Sequence, residues 1–139
     1  MVPHTLDIVL IEDNSADVFL IKRALQEAGL EFTLRTFKDG EEALRFVETA
    51  GHGAIPDILL MDWNLPRVHG KDLLRAIGHS GSLKNTPRVV LTSSDSPTDR
   101  SDVEGLGGVF VSKPRSLDAF MQIGYRVKSM LEIRSVGTL

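Results

Sequence analysis

Three carboxylates, a hydroxyl and an ammonium group stand at matching places along this chain. Glu12 and Asp13 follow the run Ile8-Val9-Leu10-Ile11, and Asp62 follows Leu59-Leu60-Met61. Thr92 follows Val89-Val90-Leu91, and Lys113 comes soon after Val109-Phe110-Val111. Each apolar run has the length and branched side chains of a buried strand. A carboxylate at the tip of such a strand is costly unless something pairs with it. Acids brought together repel one another, and one of them is driven to keep its proton. A divalent cation removes that conflict, and with oxygen as the only ligand type on offer the natural cation is Mg²⁺. A lysine and a threonine opposite the acids complete a pocket suited to a phosphoryl group. The metal and the ammonium would neutralise its equatorial oxygens, and the hydroxyl would donate a hydrogen bond.

Each piece also has a plainer reading. Acids after a strand are often helix caps or turn formers, and Glu12-Asp13 taken alone can be read so. A threonine at a strand end is an ordinary β-branched strand residue. Ser112-Lys113-Pro114 can simply end a strand, since proline cannot continue the ladder. The conjunction is what carries weight, because four successive strand ends would have to acquire these residues independently.

The elements that must position these groups alternate along the chain. After the first strand, Val18, Phe19, Ile21, Leu25 and Ala28 recur at helical spacing, with Asn14 at the N-cap, Asp17 three residues on, and Gly29 as the stop. Phe32, Leu34 and Thr36 alternate with polar residues in a second, more exposed strand. Asp39-Gly40 reads as a turn before a helix over 41–49, buried through Ala43, Leu44 and Val47. A third strand, Ile58–Met61, precedes a helix marked by Leu73, Leu74 and Ile77 that stops near Gly78. The last helix carries Leu117, Phe120, Met121, Val127, Met130 and Leu131. Five strands alternating with helices predict an α/β fold, a parallel sheet covered on both faces. In such sheets ligands bind outside the carboxyl ends of the strands, where the polar residues fall. The weak stretch is 93–108, with Pro97, three glycines and only Val103 and Leu106 as apolar anchors, so any fourth helix is short and marginal.

Composition narrows the function classes. A net charge of −3 with no basic block argues against a protein that lives by phosphate contacts with DNA or RNA. The absence of cysteine excludes disulfides, thiolate nucleophiles and cysteine-bound zinc, and agrees with a reducing cytoplasm. No apolar run is long enough for a membrane span, and the N-terminus lacks the pattern of a signal peptide, so a cytoplasmic location is expected. The histidines His4, His52, His69 and His79 show no metal-ligand spacing and read as surface residues.

Taken together, "LIEDN", "LLMDWNLP" with Gly70 eight residues after Asp62, "VVLTSS" and "VFVSKP" resemble the receiver domains of two-component response regulators, over essentially the whole chain. The resemblance implies a doubly wound, five-stranded flavodoxin/CheY-like sheet of order 2-1-3-4-5, and one receiver domain over 1–139 with no output domain. It implies that Asp62 takes a phosphoryl group from a sensor histidine kinase, with Mg²⁺ (or Mn²⁺) required. Asp13 would ligate the metal directly, Glu12 mainly through a bound water, and Asn64 through its backbone carbonyl, alongside Asp62. Thr92 would hydrogen-bond the phosphoryl oxygens, Lys113 would pair with the phosphoaspartate, and Phe110 would be the switch aromatic, against the alternative of a static core residue. "D-x-N-L-P", the longer segment "GHSGSLKNTP" and "LTSS" are similar to stand-alone regulators that partner bacterial phytochromes. Output would then pass through protein contacts and not DNA or a membrane. A homodimer is one such output, with Ile123, Val127, Met130 and Ile133 on the last helix either its face or plain sheet cover.

"GLGGVF" departs from the family's usual Gly-Ala before the fifth strand, and Trp63 is bulkier than the usual neighbour of the acceptor. Trp63 either shields the acyl phosphate or packs on its loop. A haloacid-dehalogenase-type phosphatase uses similar residues, but its nucleophile comes first and its acid pair late, and Asn64 stands where its general acid would be. Flavodoxin-like flavin binding lacks its phosphate cradle in the first strand-to-helix loop.

Overall fold

The computed structural model describes residues 5–50, 53 and 55–137, the side chains of 133–137 excepted. His4, His52 and the side chain of Ile133 therefore lie outside the described residues. Along the chain run β1 (Leu6–Ile11), α1 (Ser15–Glu27), β2 (Phe32–Phe37), α2 (Gly40–Glu48), β3 (Ile58–Met61), α3 (Gly70–His79), β4 (Arg88–Thr92), α4 (Pro97–Gly105), β5 (Val109–Ser112) and α5 (Leu117–Gly137). Every strand pairing is parallel and the order is β2-β1-β3-β4-β5, as expected.

Strand side chains alternate between faces, and the two cores follow that alternation. Val9, Ile11, Leu59, Met61, Val90 and Phe110 face α2, α3 and α4. Ile8, Leu10, Ile58, Leu60, Leu91 and Val111 face α1 and α5. All four residues of β3 are buried, which is why this central strand reads as an unbroken apolar run.

Helix boundaries depart from the sequence reading by about a residue, for local reasons. Asp39 accepts a hydrogen bond from Glu42 N–H at 2.8 Å, so α2 starts at Gly40 and not after it. Helix α3 ends at His79, next to Gly78 as read; Ser80 then caps the following segment, its Oγ accepting from Leu83 N–H at 3.1 Å. Gly29 adopts φ +78 after α1, a conformation that suits glycine. The inserted segment before β4 is tied down by apolar Leu83 in the core and by Arg88, whose guanidinium donates to the carbonyls of Thr86 and Lys84.

The fourth helix is short, with Val103 its one buried side chain. It is nonetheless regular: Ser96 Oγ accepts from Asp99 N–H, and Lys71 of α3 pairs with Asp102 at 3.3 Å. On α5, Ile123 and Val127 are buried against the sheet and Met130 is partly buried against the same core, so these residues serve as sheet cover. Among the described residues, the large apolar side chains that do stand exposed on α1 and α5 are Phe19, Leu117 and Tyr125. Among the described residues, no helix is long and apolar enough to cross a membrane.

Helices α1 and α5 approach closely at Gly124. A Cβ there would lie 1.9 Å from the carbonyl oxygen of Ala24. Tyr125 Oη and Lys128 Nζ also donate to the carbonyls of Glu27 and Ala28, closing the end of α1 onto α5. Helix propensity alone would favour alanine over glycine by about 1 kcal/mol, but the contact forces the helices apart. Gly124→Ala is expected to lower the free energy of unfolding by about 2 kcal/mol, measured by urea denaturation; a stabilised variant would show the contact to be loose.

Candidate functional site

Register brings the polar residues together. Ile11 is paired with Met61, so Glu12 and Asp62 leave the sheet side by side. Thr92 is paired with Ser112, so Lys113 follows beside Thr92 and donates its backbone N–H to the Thr92 carbonyl at 2.9 Å. At this rim, carboxylate oxygens of Glu12, Asp13 and Asp62 lie within 4.8 Å of one another.

The Lys113 ammonium closes the cluster. Its Nζ donates to Glu12 Oε1 at 2.6 Å, to Asp17 Oδ2 at 2.8 Å and to Asp62 Oδ2 at 3.3 Å. Burial by itself would lower the lysine's pKa, but the hydrogen bonds to Asp17 and Glu12 and the charge of Asp62 outweigh it and hold the ammonium above the usual lysine range. Glu12 is 1% exposed. Desolvation raises its pKa to about 7; Lys113 opposes the rise and the charge of Asp62 adds to it. An acid this strained toward neutrality beside two other carboxylates is the setting a hard cation would relieve, and the donor set is all oxygen.

Asp62 is also held from the other side. Its Oδ1 accepts from the N–H of Trp63 at 2.7 Å, with Asn64 N–H farther off at 3.5 Å. Asn64 is exposed in the loop directly after Asp62. Thr92 is fully buried, and its Oγ1 accepts from Ser94 N–H at 3.3 Å. Phe110 is buried on the face toward α4, its ring covered by the guanidinium of Arg100 at 4.6 Å.

Trp63 packs on the loop. It is 1% exposed, and a Cβ at Gly70 would meet its carbonyl oxygen at 2.7 Å and its ring at 2.9 Å. His69 meets the indole edge-on at 4.9 Å and caps α3 through Nδ1, which accepts from Lys71 N–H at 3.0 Å. His69 and His79 are exposed, as read.

All of Glu12, Asp13, Asp62, Thr92 and Lys113 gather at one rim, with Asn64 beside them and Phe110 one layer below. Sequence reasoning missed Asp17 as a site residue. It appeared only as an acid in the first helical turn, where a carboxylate is explained by capping and the helix dipole. Beside Lys113 a cleft of about 540 Å³ opens, lined by Asp17, Leu20, Arg115, Leu117 and Phe120 among others.

Comparison with known proteins gives the family. The model of the response regulator receiver domain matches residues 8–123. The chain is 37% identical over 94 residues to a probable methanogenesis regulatory protein, FilR2, of Methanothrix harundinacea, covering 66% of this chain and 61% of that protein. It is 34% identical over 95 residues to the response regulator Rcp1 of Synechocystis sp., covering 66% of this chain and 65% of that protein. The chain thus matches somewhat under two thirds of the length of these two relatives. Among solved structures, the phosphorylated cyanobacterial phytochrome response regulator RcpA superposes with a TM-score of 0.84 at 30% identity, over 92% of this chain and 94% of that one. The Mn²⁺-bound form of Rcp1 superposes with a TM-score of 0.80 at 28% identity, over 89% and 92%. By motif, topology and similarity alike, the chain belongs to the response regulator receiver domain family, the signalling modules of two-component systems.

Proposed function

We propose that this protein is a phosphorylation-controlled switch that accepts a phosphoryl group on Asp62 from a sensor histidine kinase, a bacteriophytochrome among the candidates. The observation that carries this is the group of three carboxylates at one strand-end rim with the Lys113 ammonium bonded to two of them. A carboxylate oxygen of Asp62 would attack phosphorus; the phosphorus–nitrogen bond of the donor histidine breaks as the phosphorus–oxygen bond forms, and the imidazole leaves with the electron pair. Glu12, Asp13, Asp62 and the Asn64 carbonyl would hold Mg²⁺ or Mn²⁺, which when bound offsets charge on the transferring group. Lys113 would turn from the Asp62 carboxylate to a phosphoryl oxygen. The Trp63 N–H already orients the other Asp62 oxygen. Likeness to the phytochrome response regulator RcpA supports a phytochrome-type kinase as the donor, and the cleft beside Lys113, lined in part by apolar Leu117, offers a place for it to approach.

Readout would follow from Thr92 and Phe110. To reach a phosphoryl oxygen, the Thr92 hydroxyl leaves the Ser94 N–H, and that loop leads into α4 through Ser94 and Asp99, which are hydrogen-bonded at 2.5 Å. Phe110 and Arg100 sit at a shallow cleft of about 360 Å³ between β5, α4 and α5. A change there alters a surface that a partner protein or a second copy can recognise. The output would be a protein contact made in the cytoplasm.

Acetyl phosphate with Mg²⁺ is expected to add one phosphoryl group, seen by intact mass, and Asp62→Asn to abolish it; an unmodified wild type would overturn the reading. A second expectation concerns the cation. A carboxylate whose folded pKa is raised contributes stability below its unfolded value and loses it as pH rises through the folded one. In chelator, Glu12 should therefore make unfolding easier as pH climbs from about 4.5 to about 7, by up to about 3 kcal/mol. Saturating Mg²⁺ is expected to remove that decline, and Glu12→Gln to flatten it, in thermal melts across pH. A decline indifferent to Mg²⁺ would count against Glu12 facing the metal.

A further inference from the structure

The three N–H donors of Lys113 meet three carboxylates from three elements, and the partner it holds least closely is Asp62. Glu12 lies at 2.6 Å and Asp17 at 2.8 Å, against 3.3 Å for Asp62. Glu12 and Asp62 belong to the carboxylate group that would face a cation; Asp17 lies outside that group. It is fixed at the start of α1, where its backbone N–H donates to Asn14 Oδ1 at 3.1 Å. The lysine is a compact charge on a flexible stem, so where its nitrogen sits is set by its partners. A carboxylate anchored on a helix end cannot follow that nitrogen, and the nitrogen must leave it to move toward Asp62.

We propose that Asp17 is a positioning residue: it shares the Lys113 ammonium with Asp62 and thereby weakens the grip of the lysine on a phosphoryl group carried there. This rests on the reading of Asp62 as the phosphoacceptor. Lys113 is 10% exposed on its side chain, so solvent screens this competition little. The device is a built-in limit on how firmly the phosphorylated state is held.

Beryllofluoride with saturating Mg²⁺, a stand-in for the phosphoryl group, tests it by titration calorimetry on the whole chain. Asp17→Asn, of the same shape but neutral, is expected to tighten beryllofluoride about three- to tenfold. Asp17→Glu, which restores the charge, is expected to stay within about twofold of wild type. The tightening should persist when salt is raised from about 0.05 to about 0.5 M, because a contact pair is screened far less than the diffuse field of a surface charge. Unchanged or weaker binding in Asp17→Asn, tightening that salt abolishes, or equal tightening in Asp17→Glu would each overturn the proposal. Wild-type protein that ignores beryllofluoride would overturn the phosphoacceptor reading itself, a distinguishable result.

Discussion

The ammonium of Lys113 is the charge that lets three acidic side chains share the rim of a hydrophobic sheet. Glu12 is removed from water, Asp62 and Asp17 are partly buried, and carboxylates at this spacing would otherwise repel or protonate. One cation donating to all three satisfies them, and among the described residues no buried side-chain polar atom lacks a partner. The arrangement is strained by design of charge, since Glu12 remains pushed toward neutrality even with the lysine in contact. A site poised in this way gains from any arriving positive charge and responds to any added negative one.

That ion cluster is only as well placed as the backbone beneath it. Parallel pairing carries Ile11, Met61 and Thr92 to a common edge, and the loop after β3 is then fixed by packing on its far side. Trp63 fills the space between its own loop and the start of α3, Gly70 admits it because no Cβ intervenes, and His69 caps the helix while meeting the ring. The backbone N–H that orients Asp62 is that of Trp63 itself, so a wholly buried aromatic positions the Asp62 carboxylate through its main chain. Such support from packed neighbours is what holds a small site within the tolerance its chemistry requires.

On the opposite side of the lysine, the sheet is linked to a helix with little core of its own. Among the described residues, the helix α4 contributes one buried side chain and is held by a cap, the Ser94–Asp99 hydrogen bond, the Lys71–Asp102 ion pair and Arg100 over Phe110. Interactions of this partly exposed kind are individually weak. An element attached by a few such contacts is more easily rearranged by a change of charge nearby than α1 and α5, which pack closely at Gly124.

The sequence by itself determined the alternation of elements, the parallel sheet and the identity of the residues at its carboxyl edge. Those features are local, because strand runs, caps and turn residues declare themselves within a few positions, and a fully buried strand such as Ile58–Met61 has no polar residue to obscure it. Tertiary structure decided three matters. Asp17 joined the site because the Lys113 side chain, from the loop after β5, reaches the first turn of α1, a pairing of residues far apart in the chain that no local pattern records. Trp63 became a packing residue because Gly70 and His69 come to meet it, and a ring's surroundings cannot be read from its neighbours in sequence. Ile123 and Val127 were claimed by the sheet, because which arc of an amphipathic helix is covered depends on the crossing geometry that Gly124 permits.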